Sequence, residues 1–292
     1  MNAGPDVSVV MSVYNSADSL EETLQSILAQ ESVRFELVAI DDGSTDSSGQ
    51  ILDRYARRDP RVRVFHGHNQ GLTRSLIKGC GLARGSLIAR HDAGDFSEPT
   101  RLREQKKVFD RHPDCDFVSC WTVMTGPGGE YLYTRKSNCL EKYPIDVVRR
   151  SPSGTHELLD GPTHHGSVMF RTVAYQQAGG YRAEFYYGQD WDLWYRLAMR
   201  GKFGMVEKAL LRASLSPTSI SFLRRARQQE YAALSARSFQ LRMDGLDDDE
   251  TLRDAEMLRS FDAETGAADS PSAGYYFVAR CLQKNWDHRS TK

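Results

Sequence analysis

Two loops of this chain carry carboxylates that could bind a ligand or take part in a reaction. The first loop, Asp41-Asp42-Gly43-Ser44-Thr45-Asp46, follows the apolar run Phe35 to Ile40. In an open α/β sheet, ligands bind in the crevice at the carboxyl ends of the strands, so acids placed there suit hydrogen bonding to a ribose or a base. For the last three residues of the loop, capping of a helix that begins near Ser47 is the alternative.

The second loop, His91-Asp92-Ala93-Gly94-Asp95, directly follows a predicted strand that ends near Arg90. Asp92 and Asp95 could hold Mg²⁺ or Mn²⁺, because both ions accept oxygen ligands and commonly bind through carboxylates plus substrate phosphates. A polar turn is the alternative for this loop alone. The two loops together predict a site for a metal-bridged nucleotide diphosphate.

Asp190 lies just before a predicted aromatic helix and is the candidate general base. Removing a proton from an acceptor hydroxyl needs a carboxylate within hydrogen-bond reach, ideally with its pKa raised by apolar surroundings. Trp191 and Trp194 could supply those surroundings. The alternative is that Asp190 caps the helix and both tryptophans lie in the core.

His164 and His165 precede a predicted strand. Adjacent side chains alternate between faces in an extended segment, so we expect at most one of them to face the site and not both to bind one metal. A structural histidine is the alternative for either.

The elements that must position these residues alternate between strand and helix over the first hundred residues. Val7 to Val13 is almost continuously apolar, as expected of a strand buried on both faces of a parallel sheet. This alternation is typical of a doubly wound α/β fold with a mostly parallel sheet flanked by helices. The pattern predicts further strands at 35–40, 62–65 and 86–90 and helices at 19–29, 48–57 and 73–83.

After Pro99 the pattern is less regular. We expect a core domain at 1–222 and a helical C-terminal extension at 223–292. Within the core domain, the pattern predicts a helix at 101–111, strands at 117–124 and 166–171, and helices at 174–178 and 191–199. Residues 125–162 are consistent with an extended connection or with a loop that bears acceptor contacts.

Composition excludes several classes of protein. The 292 residues are 40% hydrophobic and carry a formal net charge of −1, which argues against a predominantly electrostatic attachment to nucleic acid. The five cysteines show no Cys-x-x-Cys pairing, so neither a disulfide framework nor a zinc site is indicated. We find no leader pattern and no apolar stretch of about 18 residues. We therefore expect a cytoplasmic protein, with peripheral contact at the inner face of the membrane as an option.

The chemistry-bearing motifs, taken in chain order, resemble glycosyltransferase family 2, inverting enzymes of the GT-A fold that use nucleotide-diphosphate sugars. Each motif is weak alone, whereas their order is highly specific. The similarity spans about Val7 to Ser221 and rests on the segments 7–15, 41–44, 69–72, 92–95, 99–102 with Gln105, 165–171, 179–181 and 189–194.

The resemblance implies a role for each matching residue. Ser12 and Asp42 would help hold the nucleoside, Asp92 and its loop would hold the ribose and the metal-bound pyrophosphate, and Asp190 would be the general base. The other residues expected at the site are Tyr14, Asn15, Asp41, Asn69, Gly71 and Arg74 for the nucleotide sugar, Asp95 with Asp92 for the metal, and His165, Gln189 and Trp191 for the acceptor pocket or the site wall.

Family members commonly have Asp-x-Asp-Asp where this chain has Asp92-Ala93-Gly94-Asp95, so Gly94 replaces the acid that usually contacts the metal. Asp95 is the expected substitute ligand for Mn²⁺ or Mg²⁺. The Gln-x-x-Arg-Trp signature of processive synthases is absent, which favours transfer of a single sugar. The resemblance implies a UDP-type or dTDP-type donor, a carbohydrate or lipid-linked acceptor, and a role in surface polysaccharide or glycolipid assembly.

Two other classes are alternatives. A non-catalytic nucleotide-sugar-binding or scaffolding protein would explain the missing acid at Gly94. A sugar nucleotidyltransferase would also use an α/β sheet, but it needs a Gly-rich phosphate loop after the first strand, and residues 12–16 contain no glycine. The absence of Gly-x-Gly-x-x-Gly there also argues against a dinucleotide-dependent dehydrogenase.

Overall fold

The computed structural model describes residues 4–137, 143–215, 224–265 and 272–290. A 3-10 helix spans His165–Ser167, shortly before the strand Met169–Arg171. The strands are β1 (Val7–Val13), β2 (Phe35–Asp41), β3 (Val62–His66), β4 (Leu87–Asp92), β5 (Phe96–Ser97), β6 (Cys115–Thr125), β7 (Tyr131–Arg135), β8 (Val148–Arg150), β9 (His156–Leu158), β10 (Met169–Arg171) and β11 (Lys202–Ser214). The helices are α1 (Ala17–Leu28), α2 (Ser48–Arg58), α3 (Leu72–Gly81), α4 (Arg101–Arg111), α5 (Thr172–Gln177), α6 (Gln189–Ala198), α7 (Arg225–Met243), α8 (Asp249–Thr265) and α9 (Ser272–Ser290).

Nine strands form one sheet in the order β3-β2-β1-β4-β10-β6-β11-β5, and β7 pairs with β6. Strands β1 to β4, β6 and β11 run in one direction, whereas β5, β7 and β10 run in the other. The sheet is therefore mixed but mostly parallel, with helices on both faces, and the predicted fold class is confirmed. The carboxyl ends of β1 to β4 meet at one edge, where both acidic loops lie.

Burial along β1 follows from helices on both faces of the sheet. Val9 and Met11 belong to one apolar cluster, which includes the buried face of α1. Val10 belongs to a second cluster on the opposite face, which includes Leu76 of α3. Because successive side chains of a strand point to opposite faces, a strand covered on both faces must be apolar at nearly every position.

The second half of the sheet differs from the sequence analysis in two places. The pattern did not predict β11, because the exposed Glu207 and Lys208 interrupt its apolar run. The ladder between β11 and β6 shifts its register between Val206 and Ala209, which accommodates these two residues as an irregularity of the strand. The segment predicted as an extended connection at 125–162 contains β7, β8 and β9, which are too short to leave a clear periodicity.

The C-terminal region is helical, as predicted, and packs on the core. Phe185, Tyr231 and Ala255 form a buried cluster that joins the loop before α6 to α7 and α8. At the other end, Nδ2 of Asn285 on α9 donates to the carbonyl oxygens of Tyr131 and Leu132, at 3.0 and 2.9 Å. The predicted boundary between residues 222 and 223 lies within 216–223, outside the described residues.

Among the helices that the structure describes, none is both long enough and apolar enough to cross a membrane.

Candidate active site

Asp92 ends β4 beside β1, where its register partner is Ser12. Nη2 of Arg90, whose side chain is 1% exposed, donates to Oδ1 of Asp92. Burial alone would raise the pKa of Asp92, but the charge of Arg90 and the neighbouring histidines lower it below the usual value. The Asp92 carboxylate is therefore ionised at neutral pH and is held in place by a buried guanidinium.

Asp92, Asp95 and His164 form a group with the chemistry of a metal site. One ligand atom from each lies within 4.8 Å of the others, and Nδ1 of His164 is 3.4 Å from Oδ2 of Asp95. This Oδ2 is buried and has no hydrogen-bond partner among the described residues. Burial and the charge of Asp92 raise the pKa of Asp95 well above its usual value. Two carboxylates and an imidazole, one with an unpartnered oxygen, fit a divalent cation such as Mn²⁺.

Both histidines line the cleft described below, so the expectation that at most one would face it is wrong. The 3-10 turn at His165–Ser167 replaces the extended segment on which that expectation rested. Nδ1 of His164 accepts a hydrogen bond from the backbone N–H of Gly166 at 3.0 Å, and Nε2 of His165 is 2.8 Å from the hydroxyl of Tyr181. Burial lowers the pKa of His164 to about 4 and that of His165 well below its usual value, so both rings are neutral at pH 7.

Asp190 is the second residue of α6, and Gly188 is the helix N-cap, with a left-handed φ of 65°. Oδ1 of Asp190 accepts a hydrogen bond from the N–H of Trp191 at 3.0 Å. Burial raises the pKa of Asp190 to about 6. The ring of Trp194 is buried, whereas Trp191 is 42% exposed and available to a ligand. Asp190 thus has the properties of a general base, and Trp194 lies in the core.

The two acids of the first loop mainly tie that loop to neighbouring segments. Asp42 accepts hydrogen bonds from the backbone N–H groups of Gln70 and Gly71, at 3.0 and 2.9 Å, and from Oγ of Ser75 at 2.8 Å. Asp41 accepts one from the N–H of Ser44 at 3.0 Å, and its other oxygen lies 2.8 Å from Nδ1 of His66. These contacts connect the ends of β2 and β3 to the start of α3.

The other residues expected to bind the nucleotide lie at the same sheet edge. Asn15, with a φ of 47°, accepts a hydrogen bond from the N–H of Thr45 at 2.8 Å and so joins the ends of β1 and β2. Tyr14 is 49% exposed beside it. Gly71 has a φ of 86°, and a Cβ there would lie 2.5 Å from Cε2 of Tyr186, so only glycine fits. Ser12 is half-buried, and Asn69 and Arg74 are exposed.

A cleft of about 1450 Å³ lies between the sheet and the C-terminal helices. Of the residues expected at the site, it brings together Asp92, His165, Gln189, Asp190 and Trp191. Those expected at the nucleotide, from Ser12 to Arg74, do not line it. They lie beside the cleft, at the ends of β1 to β3 and the start of α3: Gly71 adjoins Leu72 and Tyr186, which line the cleft, and Ser12 is the register partner of Asp92.

Sequence reasoning missed two residues of the site. His164 carried a signal, since it belongs to the His-His pair, but the face-alternation argument passed it over. Arg90 carried none, because an arginine at the end of a strand looks like any solvated polar residue. Its burial beside Asp92 appears only when β4 is packed against β10.

The chain is similar to known proteins in sequence and in fold. Residues 8–175 match the family model described as Glycosyl transferase family 2. The chain is 33% identical over 205 residues to EpsE of Bacillus subtilis (strain 168), a glycosyltransferase by name, and the alignment covers 69% of each chain.

Two solved structures share the fold. One is S. aureus TarS 1–349 in complex with UDP-GlcNAc, at 20% identity and a TM-score of 0.56, covering 72% of this chain and 58% of that one. The other is the mannosyltransferase PcManGT from Pyrobaculum calidifontis in complex with GDP-Man and Mn²⁺, at 18% identity and a TM-score of 0.58, covering 99% of this chain and 83% of that one. Because the family match spans more than half of the 292 residues, and because EpsE matches beyond it, the chain belongs to glycosyl transferase family 2 and is a glycosyltransferase.

Proposed function

We propose that this protein moves one sugar from a nucleotide-diphosphate sugar of the UDP or dTDP type to an acceptor hydroxyl, with inversion at the anomeric carbon. The observation that carries the proposal is a pair of carboxylates in one cleft whose pKa values differ in direction. The pKa of Asp92 is lowered, whereas burial raises that of Asp190 to about 6. Surroundings that shift the pKa values of two carboxylates in opposite directions suit the two groups to different roles in a reaction.

Asp190 is the general base of this proposal. It takes the proton of the acceptor hydroxyl while the oxygen forms a bond to the anomeric carbon, and the bond to the diphosphate breaks with its electron pair leaving on the diphosphate. A single attack from the face opposite the leaving group inverts the anomeric centre. The family match ends at residue 175, so this role rests on the position and surroundings of Asp190.

Asp92, Asp95 and His164 would hold Mn²⁺ or Mg²⁺. When bound, the ion supplies positive charge where the diphosphate departs. Burial and the charge of Asp92 raise the pKa of Asp95, and a carboxyl group must be deprotonated to bind a metal, so metal affinity should increase with pH. The PcManGT complex with Mn²⁺ supports a metal-dependent donor site.

The nucleoside of the donor is assigned to the region at the ends of β1 to β3. Asp42 already accepts three hydrogen bonds, so we assign it to holding Gln70 and Gly71 in position. Ser12 and the exposed Tyr14 are left to contact the nucleotide. A role in surface polysaccharide or glycolipid assembly is part of the proposal and is supported by the family resemblance.

The test is calorimetric binding of UDP, dTDP, GDP and CDP to the whole chain with Mn²⁺, with Mg²⁺ and with a chelator. We expect one nucleotide to bind tightly only with metal, and Asp92→Asn and His164→Gln to weaken binding at least about tenfold through loss of ligands. Asp114→Asn, a change in an exposed pair with Lys202 away from the cleft, is the matched control.

Turnover separates this proposal from the alternative of a non-catalytic binding protein. We expect hydrolysis or transfer of the sugar of the bound donor, and a product whose anomeric configuration is opposite to that of the donor by NMR. Nucleotide binding without turnover of any UDP-sugar or dTDP-sugar would favour the binding protein. Retention of configuration would contradict the direct displacement.

A further inference from the structure

We propose that Tyr181 fixes the side chain of His165 in the tautomer that carries its proton on Nδ1, so that this N–H donates a hydrogen bond to an oxygen of the donor sugar. This inference rests on the proposed function and adds a contact to its donor site. Tyr181 is then a positioning residue, because it acts on the substrate only through His165. It belongs to Gly179-Gly180-Tyr181, one of the segments that carry the family resemblance.

The hydroxyl group of Tyr181 has one hydrogen-bond partner among the described residues. It lies 2.8 Å from Nε2 of His165, and Tyr181 is 4% exposed. A buried O–H group that finds no acceptor destabilises the fold, so this hydroxyl donates to Nε2. A neutral imidazole carries a single ring proton, and when Nε2 accepts a hydrogen bond that proton is on Nδ1.

Packing fixes the positions of both rings. The backbone N–H of Tyr181 donates to the hydroxyl of Tyr175 at 3.1 Å, and the two tyrosine rings meet edge to face with centroids 5.7 Å apart. The ring of His165 packs in the same way against the rings of Tyr181 and Trp194, with centroids 5.8 and 6.4 Å away. Because the two nitrogen atoms lie on opposite sides of an imidazole ring, Nδ1 of His165 points away from Tyr181.

Nδ1 of His165 is available to a ligand. It makes no hydrogen bond within the described part of the chain, yet it is not one of the buried side-chain atoms that lack a partner, as Nε1 of Trp194 is. Solvent therefore reaches Nδ1. Since His165 lines the cleft that contains Asp92 and Asp190, its N–H is an unpaired donor in that cleft.

The location of His165 between the two carboxylates selects the donor sugar as the ligand. A Cβ on Gly166, the next residue, would lie 3.1 Å from Oδ2 of Asp92, to which the departing diphosphate is assigned. Trp194, on which His165 packs, lies one turn after Asp190 in α6. In a direct displacement the anomeric carbon lies between the leaving oxygen and the attacking oxygen. The transferred sugar therefore lies between these two carboxylates, beside His165, and its hydroxyl oxygens accept hydrogen bonds.

The tautomer is measured by NMR on the whole chain labelled with ¹⁵N-histidine, and the His165 signals are identified by their loss in His165→Asn. We expect a protonated Nδ1 and an unprotonated Nε2 in the wild type, and a larger share of protonated Nε2 in Tyr181→Phe, which lacks the hydroxyl donor. Tyr231→Phe is the matched control, because it removes another buried hydroxyl, which donates to the carbonyl oxygen of Ala255 at 3.1 Å, and it should leave the His165 signals unchanged. A protonated Nε2 in the wild type, or an unchanged tautomer in Tyr181→Phe, would overturn the inference.

Substitutions of His165 test the N–H donor itself. The amide nitrogen of asparagine is bonded to Cγ, as Nδ1 of histidine is, whereas the amide of glutamine lies one bond further out. We expect kcat/KM for the nucleotide sugar to fall at least about fivefold in Tyr181→Phe and in His165→Gln, and less in His165→Asn.

A double variant separates positioning from a merely structural role. Tyr181→Phe should have little further effect in the His165→Asn protein, because a positioning residue acts through the group that it positions. Equal losses in His165→Asn and His165→Gln, or an undiminished effect of Tyr181→Phe in the His165→Asn protein, would contradict the inference.

Two kinds of ligand distinguish an oxygen of the sugar from an oxygen of the diphosphate. UDP and dTDP are titrated with Mn²⁺ into wild type and His165→Gln, beside UDP-glucose, UDP-N-acetylglucosamine and dTDP-glucose. Weaker binding of a nucleotide sugar alone in His165→Gln supports the contact with the sugar, whereas equal weakening of the free diphosphate would assign the N–H to the leaving group and overturn it. Absence of nucleotide binding in the wild type would instead contradict the proposed function, and the NMR measurement would still decide the tautomer.

Discussion

At the scale of single residues, the site depends on which neighbours surround each carboxylate. A buried guanidinium stabilises the charge of Asp92, whereas Asp190 lies among aromatic rings. Oδ1 of Asp190 accepts a hydrogen bond from the backbone N–H of Trp191. At neutral pH the carboxylate of Asp92 is therefore ionised, whereas that of Asp190 is close to its pKa of about 6.

The pH dependence of transfer should report Asp190. Burial raises the pKa of this group to about 6 in the free protein, and a base must be deprotonated to act, so kcat/KM should rise with pH and be half-maximal near pH 6. A kcat/KM that is independent of pH from 5 to 8 would contradict the assignment.

Removing the carboxylate tests the same role. Asp190→Asn should lower kcat by about 10²-fold or more with little change in donor affinity. Because the folded pKa of Asp190 exceeds the unfolded one, its ionisation costs stability as pH rises between the two values, and the variant should be no less stable than wild type at pH 7.

Gly166 provides a second test at this scale. A Cβ at this position would lie 2.6 Å from Oδ2 of Asp95 and 3.1 Å from Oδ2 of Asp92, so Gly166→Ala must displace the carboxylates. We expect Mn²⁺ affinity, measured by calorimetry, to fall at least about tenfold. Gly81→Ala is the control, since nothing lies within 4 Å of an added Cβ there. Unchanged affinity in Gly166→Ala would exclude these two oxygens as ligands.

At the scale of elements, helix α6 is held in place by buried ion pairs two residues beyond Asp190. The side chain of Asp192 is 0% exposed and accepts hydrogen bonds from Nη2 of Arg196 at 2.6 Å and from Nε of Arg182 at 3.1 Å. Arg182 also pairs with Asp248, just before α8. These contacts fix the orientation of α6 relative to the C-terminal helices.

Removing the charge of Asp192 should therefore be costly. Asp192→Asn leaves Arg182 and Arg196 without their shared anion, and breaking a buried pair in this way typically costs about 3–5 kcal/mol. Urea unfolding of the two proteins measures the difference. Asp114→Asn, which removes an exposed pair with Lys202, should have little measurable effect. Equal midpoints for Asp192→Asn and wild type would mean that the network does not stabilise the helix.

Helices and strands were predicted well where their apolar residues follow a clear pattern, and poorly elsewhere. β1 and α4 have the predicted bounds, because β1 is apolar at every position except Ser8 and Ser12 and α4 is amphipathic. β11 was missed because a bulge and two charged residues divide it. Periodicity reports burial on a face, and a strand that changes register midway has no single period to report.

At the scale of the whole molecule, the C-terminal helices form part of the cleft and are packed on the core. α7 contributes Arg225, Gln228 and Gln229 to the cleft wall, and α9 contributes Phe277. We infer that the segment after residue 223 is required for the site, although the sequence describes it only as a helical extension.

Truncation tests this inference. A chain that ends at residue 223 loses Tyr231, which packs against Phe185, and Asp248, which pairs with Arg182. We expect it to be much less stable, with a lower midpoint in urea and no transfer activity. A chain that ends at residue 271 keeps both contacts and should lose less stability. Wild-type stability and nucleotide turnover in the shorter chain would show that the extension is a separate unit.

The sequence by itself determined the family, the α/β sheet and the positions of the acidic loops and of Asp190, because these depend on local patterns and on motif order. Tertiary packing was needed to show that His164 joins Asp92 and Asp95, that Arg90 lies buried beside Asp92, and that Asp42 is occupied by Gln70, Gly71 and Ser75. It also placed the C-terminal helices in the wall of the cleft. The physical reason is that a side chain's charge state and partners depend on groups far away in the chain, and no local pattern records which of those groups will be brought together.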